Sequence, residues 1–354
     1  MPGLREPQAA ASGASPAFED AERLPGRLGA FLREASGAPV VVESLTKFPA
    51  GFSWITYGVK LRGFARSEAM ILRIGPPYGL FAPYSAMPEY DSLQALETSA
   101  VPAPRVYFAS DDPAILGAPF FLCEKVEGTT PLPWGSQGQR LEGARRDSLA
   151  ADFIDALAAL HGFDWRPTPL AAWGRAVTPE NAAQLQIDDW QARFRRWALR
   201  PHPMAHRTLA WLRGHAPKAE RVALVHGDYR LGNFLERDGR ISAILDWELV
   251  HLGDPVEDLG WAFLPQYRGG TPLVCGLAGE AEFLARYRAR SGLTVDAAAL
   301  KFYRVFSLLK LAFTHMAAAR CFEDGLFNDL RMAGMATQIA PVFRQIAKLL
   351  EFAA

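Results

Sequence analysis

Between Val40 and Leu72 the chain carries short runs of β-branched and aromatic residues, a pattern that predicts three strands at Val40–Phe48, Ile55–Arg62 and Ala69–Ile74. A turn on Pro49, Ala50 and Gly51 joins the first two, and links this short imply antiparallel pairing. A short helical pattern around Leu24 to Leu32 precedes them. After them, Pro88 in a first helical turn opens a stripe of Tyr90, Leu93 and Leu96, which predicts a helix packed on the sheet. Runs over Arg105–Ala109 and Pro119–Val126 add two strands, so residues 21–128 read as a small α+β lobe ending near Gly128.

Beyond Gly128 the periodicity turns helical. Leu149, Phe153, Leu157 and Leu160 share one face, Trp190, Phe194 and Trp197 share another, and Tyr303 to Leu350 is helical again. The exception is a block at 224–261, LVHGDYRLGNFLERDGRISAILDWELVHLGDPVEDLGW, which reads as two short strands around an Asp238-Gly239 turn. Loops braced by rigid elements are where chemistry concentrates. Residues 129–354 therefore form a larger, mainly helical lobe, and residues 1–20, rich in Ala, Pro, Gly and Ser, read as a flexible leader.

Composition narrows the function. With 354 residues the chain suits two domains. Its 38 Lys and Arg balance 38 Asp and Glu, so it lacks the basic footprint of a nucleic-acid binder. The three cysteines, Cys123, Cys275 and Cys321, lie far apart without a CxxC, which fits reduced thiols. Neither a signal-peptide core nor a membrane-spanning run is read, so a cytoplasmic location without a membrane partner is expected.

Within the block, His226-Gly227-Asp228 is followed by Asn233 and then Asp246. A hairpin with arms Asn233–Glu236 and Ile241–Leu245 brings Asn233 and Asp246 to one end, beside the loop carrying Asp228. Three oxygen-bearing side chains converging there suit Mg²⁺, which takes oxygen ligands and is usually held by one or two protein groups plus substrate phosphates. HGD alone is a common turn; the full set at this spacing is far more specific.

The pattern H-G-D-x-x-x-x-N followed by I-L-D-W-E resembles the catalytic block of the aminoglycoside phosphotransferase and choline kinase-like family, relatives of the protein kinases, and most closely the kinase-like domains linked to acyl-CoA dehydrogenases. The resemblance spans roughly residues 40–350 and implies a bilobal protein-kinase-like α+β fold and ATP- and Mg²⁺-dependent phosphorylation of a small-molecule alcohol. It makes Asp228 the catalytic base, Asn233 and Asp246 the metal ligands, Arg230 a cation near the transferred phosphate, and Asp258 a brace for the loop. Asp254-Pro255-Val256-Glu257 reads independently as an N-cap with a capping-box glutamate.

In the first lobe the same template places Gly51, Phe52 and Ser53 in the hairpin over the phosphates, although no Gly-x-Gly-x-x-Gly is present. Arg73 stands where kinases place a lysine, with Glu89 as its expected partner and Lys60 as a fallback cation. An arginine keeps the charge and grips phosphate oxygens as a fork. Glu124 to Val126 would meet the adenine edge. His226, His161 and His251 read as scaffold or surface residues, and the Arg-rich runs at 193–197 and 286–290 as solvated helix faces.

From Trp261 onward 11 Lys and Arg stand against 7 Asp and Glu, an excess of four positive charges. That favours a neutral or anionic acceptor over a cation such as an aminoglycoside or choline, and the resemblance points to a hydroxyacyl-type compound. Two other classes compete. A catalytically silent kinase-like nucleotide-binding module is favoured by the arginine at position 73, and a metal-dependent hydrolase using Asp228, Asp246 and His226 leaves Asn233 without a role.

Overall fold

The computed structural model describes residues 22–49, 51–131, 141–198, 200–326 and 329–351. Ala50 of the expected first turn and the expected leader, residues 1–20, lie outside these. The chain divides into two compact units, each built from separate stretches of sequence. One comprises residues up to Met87, Val106–Lys125 and Ala317–Ala336; the other comprises Pro88–Arg105, Val126–Met316 and the chain from Thr337 on.

The first unit is organised by a five-stranded antiparallel sheet in the order β1-β2-β3-β5-β4: β1 Val41–Lys47, β2 Ile55–Arg62, β3 Ala69–Ile74, β4 Val106–Ser110 and β5 Phe120–Glu124. All five strands expected from the hydrophobic runs form, within a residue or two of their expected ends. Helix α1, Leu24–Ser36, has proline in its first turn and ends on left-handed Gly37. Leu24, Leu28 and Leu32 line one face of α1 and are buried in a core with Val59, Met70, Leu72 and Phe120 from the sheet. A short helix, α3 at Pro113–Leu116, is capped by Asp112.

In the second unit, α2, Met87–Leu96, lies mostly beyond the unit boundary. It is followed by α4 Gly143–Gly162, α5 Ala182–Trp197, α6 Pro203–Gly214, α7 Val256–Ala262, α8 Glu280–Ser291 and α9 Ala297–Glu323. Helix α9 continues into the first unit, which also holds α10, Leu330–Ala336; α11, Ile339–Leu349, belongs to the second. The α4 stripe is buried as its periodicity predicts, with Leu149, Phe153, Leu157 and Leu160 all inside. By length and composition α9 resembles a membrane span, but 78% of its apolar window is buried within the protein, which accounts for its hydropathy.

Two small ladders sit among these helices. The expected hairpin forms from β7, Phe234–Arg237, and β8, Arg240–Ile244, with Asp238 and Gly239 both at positive φ as a two-residue turn demands. A second ladder pairs β6, Ala223–Val225, with β9, His251–Gly253. Three-residue strands have no periodicity of their own, and only the long-range pairing defines them.

Candidate active site

The segment 226–228 leaves β6 through a backbone that only glycine fits. Gly227 has φ +83°, and a Cβ there would lie 2.5 Å from the Leu249 carbonyl oxygen. The turn is held from beneath by Asp258 on α7, whose carboxylate accepts the backbone N–H groups of His226 and Gly227, both at 2.8 Å. Asp258 is fully buried and also meets His161 Nε2 at 3.1 Å, while His161 Nδ1 lies 2.7 Å from the Tyr287 hydroxyl. Burial alone would raise the Asp258 carboxyl, but the His161 hydrogen bond and the donors of the loop outweigh it and hold it below the ordinary range.

His226 is fully buried and acts as a strut. Its Nδ1 accepts the Asp228 amide at 3.2 Å, which leaves Nε2–H to donate to the Leu245 carbonyl at 3.0 Å. Burial pushes its pKa down despite the neighbouring carboxylates, so the ring is neutral at pH 7. The imidazole thus ties the loop of Asp228 to the strand end that carries Asp246. From the other side the Leu245 amide donates to the Asn233 carbonyl at 2.7 Å, and Asp246 follows at the unusual φ of +65°.

The Asp228 carboxylate is the focus of this frame. Oδ1 accepts from Arg230 Nε at 2.9 Å and from Trp261 Nε1 at 2.5 Å, and Oδ2 accepts from Asn233 Nδ2 at 2.7 Å. Asn233 Nδ2 also reaches the Asp228 carbonyl at 2.9 Å, so its side-chain oxygen is the atom left for a cation. Burial works against the Arg230 charge, but Asp228 more than compensates and the guanidinium stays protonated. Arg230 also lies over the Tyr267 ring, 5.5 Å from its centroid, and Gly232 leaves room for it, since a Cβ there would strike its guanidinium.

Asp228, Arg230, Asn233 and Asp246 are therefore assembled within one unit by the turn, the hairpin and the His226 strut. No group of three or more His, Cys, Asp and Glu placed to hold a metal occurs among the described residues. An amide and a carboxylate, completed by phosphate oxygens and water, are nonetheless a donor set that suits Mg²⁺.

The remaining expected residues divide between the units. In the first, Arg73 sits in the middle of the sheet, opposite Thr56 on β2 and Phe121 on β5. Its guanidinium lies 5.5 Å from the Trp54 ring and 5.8 Å from the Phe121 ring. Gly51 has φ +132°, and Phe52 packs under Arg331 of α10 at 4.6 Å, with Ser53 next in the same loop. Lys60 is exposed at the far end of β2. Glu124 ends β5. Glu89 is buried on α2 in the second unit, to which Val126 also belongs. Beyond Val126 the chain is pinned to the hairpin, because Thr129 exchanges both backbone hydrogen bonds with Glu236 and Ser242 donates to the Glu127 carbonyl.

One expectation is corrected. Glu257 does not close a capping box with Asp254, although Asp254 does accept the Val256 amide at 3.0 Å. Glu257 is fully buried, with Oε1 2.7 Å from Lys310 Nζ and Oε2 3.3 Å from His251 Nε2. A buried ammonium is a stronger partner for a carboxylate than a backbone N–H. Burial would raise the Glu257 carboxyl, but Lys310 and His251 bring it down to about 2. Its folded value is thus below its unfolded one of about 4.5, and its stabilisation is complete above pH 4.5 and fades as pH falls towards 2. Urea midpoints measured between pH 7 and pH 3 should drop steeply at the acid end for the wild type; Glu257→Gln should start lower at pH 7 and follow a shallower slope. Equal slopes would disprove the linkage.

The sequence reading also missed Trp261 and Lys310. The only hint of the first is its place one turn after Asp258, and nothing near Lys310 in sequence marks it.

The fold and the site define a kinase-like phosphotransferase architecture. Residues 44–303 match the model of the phosphotransferase enzyme family, and the chain belongs to that family. A crystal structure of a candidate aminoglycoside phosphotransferase from Ralstonia eutropha is 26% identical, with a TM-score of 0.71 over 92% of this chain and 98% of that one. A thermostable mutant of an aminoglycoside phosphotransferase, solved with ADP and hygromycin B, shares the fold at 17% identity, with a TM-score of 0.54 over 90% and 98% of the two chains. Mouse acyl-CoA dehydrogenase family member 10 is 31% identical over 63% of this chain and 20% of its own length. The chain spans between a fifth and about a third of the length of the first curated relatives it matches.

Proposed function

We propose that the protein transfers the γ-phosphoryl group of ATP to a hydroxyl of a small molecule, in the cytosol and with Mg²⁺. The observation that carries this reading is the Asp228 carboxylate, oriented by three donors yet 14% exposed and so open to an incoming hydroxyl. In such a reaction positioning and charge neutralisation supply most of the acceleration. Asp228 would orient the alcohol and take its proton as the new O–P bond forms. Arg230, fixed against Asp228 and Tyr267, would face the charge on the transferred group. Mg²⁺ held by Asn233 and Asp246 would neutralise the nucleotide phosphates.

Arg73, with Gly51, Phe52 and Ser53, would serve the nucleotide phosphates, and Glu124 and Val126 would serve the adenine. The ADP complex of the hygromycin-bound relative supports nucleotide use. For the acceptor, the positive excess beyond Trp261 and the acyl-CoA dehydrogenase names of the relatives favour a neutral or anionic alcohol of hydroxyacyl type.

Calorimetric titration of ATP with and without Mg²⁺, followed by ADP release with aminoglycosides, choline, sugars and hydroxyacyl-CoA esters, tests both levels. Metal-dependent ATP binding and turnover of a hydroxyacyl ester are expected. Strong aminoglycoside turnover would reject the acceptor class. The arginine at position 73 favours a second reading, a silent nucleotide-binding module, which would bind ATP with Mg²⁺ and turn over no alcohol.

A further inference from the structure

Lys310, midway along α9, is 1% exposed, and its ammonium donates to the Gly227 carbonyl at 3.1 Å as well as to Glu257. Around it stand three aromatic rings, with centroids at 5.1 Å for Trp261, 5.3 Å for Trp190 and 5.7 Å for Phe306. A cage of this kind would accept an apolar side chain readily, and replacing a buried ion pair by well-packed hydrophobic residues is often neutral or stabilising. Fold stability alone therefore does not call for a charge here. What an apolar residue could not supply is the hydrogen bond to the Gly227 carbonyl, in the very peptide unit that leads into Asp228.

We propose that Lys310 is a positioning residue for phosphoryl transfer, setting the Asp228 carboxylate through the Gly227 peptide and through the Trp261 ring. The inference rests on the phosphotransferase reading above. Two routes converge. Along the backbone, Asp258 holds the Gly227 N–H and Lys310 holds the Gly227 carbonyl, so the glycine is gripped at both ends. Along the side chains, the ammonium faces the Trp261 ring while that ring's Nε1–H donates to Asp228 Oδ1. Glu257 supplies the counter-charge that lets the ammonium remain buried, and His251 fixes the second oxygen of Glu257. Neither Lys310 nor Glu257 has to touch substrate.

The test uses the full chain, with Lys310→Met/Glu257→Gln as the main variant because it removes both buried charges together. Three readouts are compared with wild type: MgATP affinity by calorimetry, kcat and KM for ADP release from MgATP with water as the acceptor, and amide hydrogen exchange across 225–229. The double variant is expected to melt cooperatively, bind MgATP with near-normal affinity and KM, lose about 100-fold in kcat, and exchange faster at 226–228. A cooperative variant with wild-type kcat and unchanged exchange overturns the proposal.

If the double variant fails to fold, Trp261→Phe, which keeps a ring but removes the Nε1–H donor, decides the side-chain route. A kcat lowered about tenfold at constant KM supports that route, and an unchanged kcat sinks it. If wild type itself neither binds MgATP nor releases ADP, the phosphotransferase reading has failed. Exchange then decides the bracing alone: acceleration confined to 226–228 supports it, and unchanged or uniformly faster exchange overturns it.

Discussion

Asp228→Asn is expected to leave the fold and MgATP affinity nearly intact while lowering phosphoryl transfer by about 10³-fold, within the range found when a positioned general base is lost. The substitution is isosteric, so the loop, the His226 strut and the Asp258 brace keep their contacts, none of which uses the Asp228 side chain. Two things change. The proton of the attacking hydroxyl loses its acceptor, and Trp261, Arg230 and Asn233 now converge on a neutral amide with one acceptor oxygen where the carboxylate offered two. The measurement is the turnover of the best acceptor with saturating MgATP, beside a melting curve and an ATP titration. Near-normal turnover would remove Asp228 from the role of base, and a loss explained wholly by weaker ATP binding would place it with the nucleotide.

Asp258→Ala should have the largest effect on stability. The wild-type carboxylate satisfies two buried backbone N–H groups and His161, all within a region that water does not reach. Leaving a buried donor without an acceptor costs about 1–3 kcal/mol each, so two orphaned amides imply about 2–6 kcal/mol. For a protein of 354 residues that corresponds to a Tm lower by about 3–8 °C. Activity should fall as well, because the same two amides set the path of the chain into Asp228. Differential scanning calorimetry of the purified variant checks the first part. An unchanged Tm would mean that the loop finds other acceptors, and Asp258 would then lose its role as a brace.

Much of this site is short-range. Asp228, Asn233 and Asp246 lie within one turn and one hairpin, and a two-residue Asp-Gly turn has few conformations, so their spacing along the chain translates almost directly into proximity. The first three strands of the first unit were legible for a similar reason: β-branched and aromatic runs with short links leave little choice but an antiparallel meander. The misread Glu257 shows where that logic stops. A glutamate three residues after Asp254 fits a capping box locally, yet its partner is a lysine 53 residues away, and the stronger, buried charge wins.

By itself, then, the sequence determined the first three strands, the buried stripe of α4, the hairpin and the cluster of polar groups near Asp228, because each depends on residues only a few turns apart. The tertiary structure alone decided what holds that cluster in place. Trp261 reaches Asp228 across 33 residues, Lys310 reaches Gly227 across 83, and His161 reaches Asp258 across 97. No periodicity encodes such pairs. They exist because helices α4, α7 and α9 bury their polar groups against one turn, and in that dry interior every buried donor and charge must find a partner.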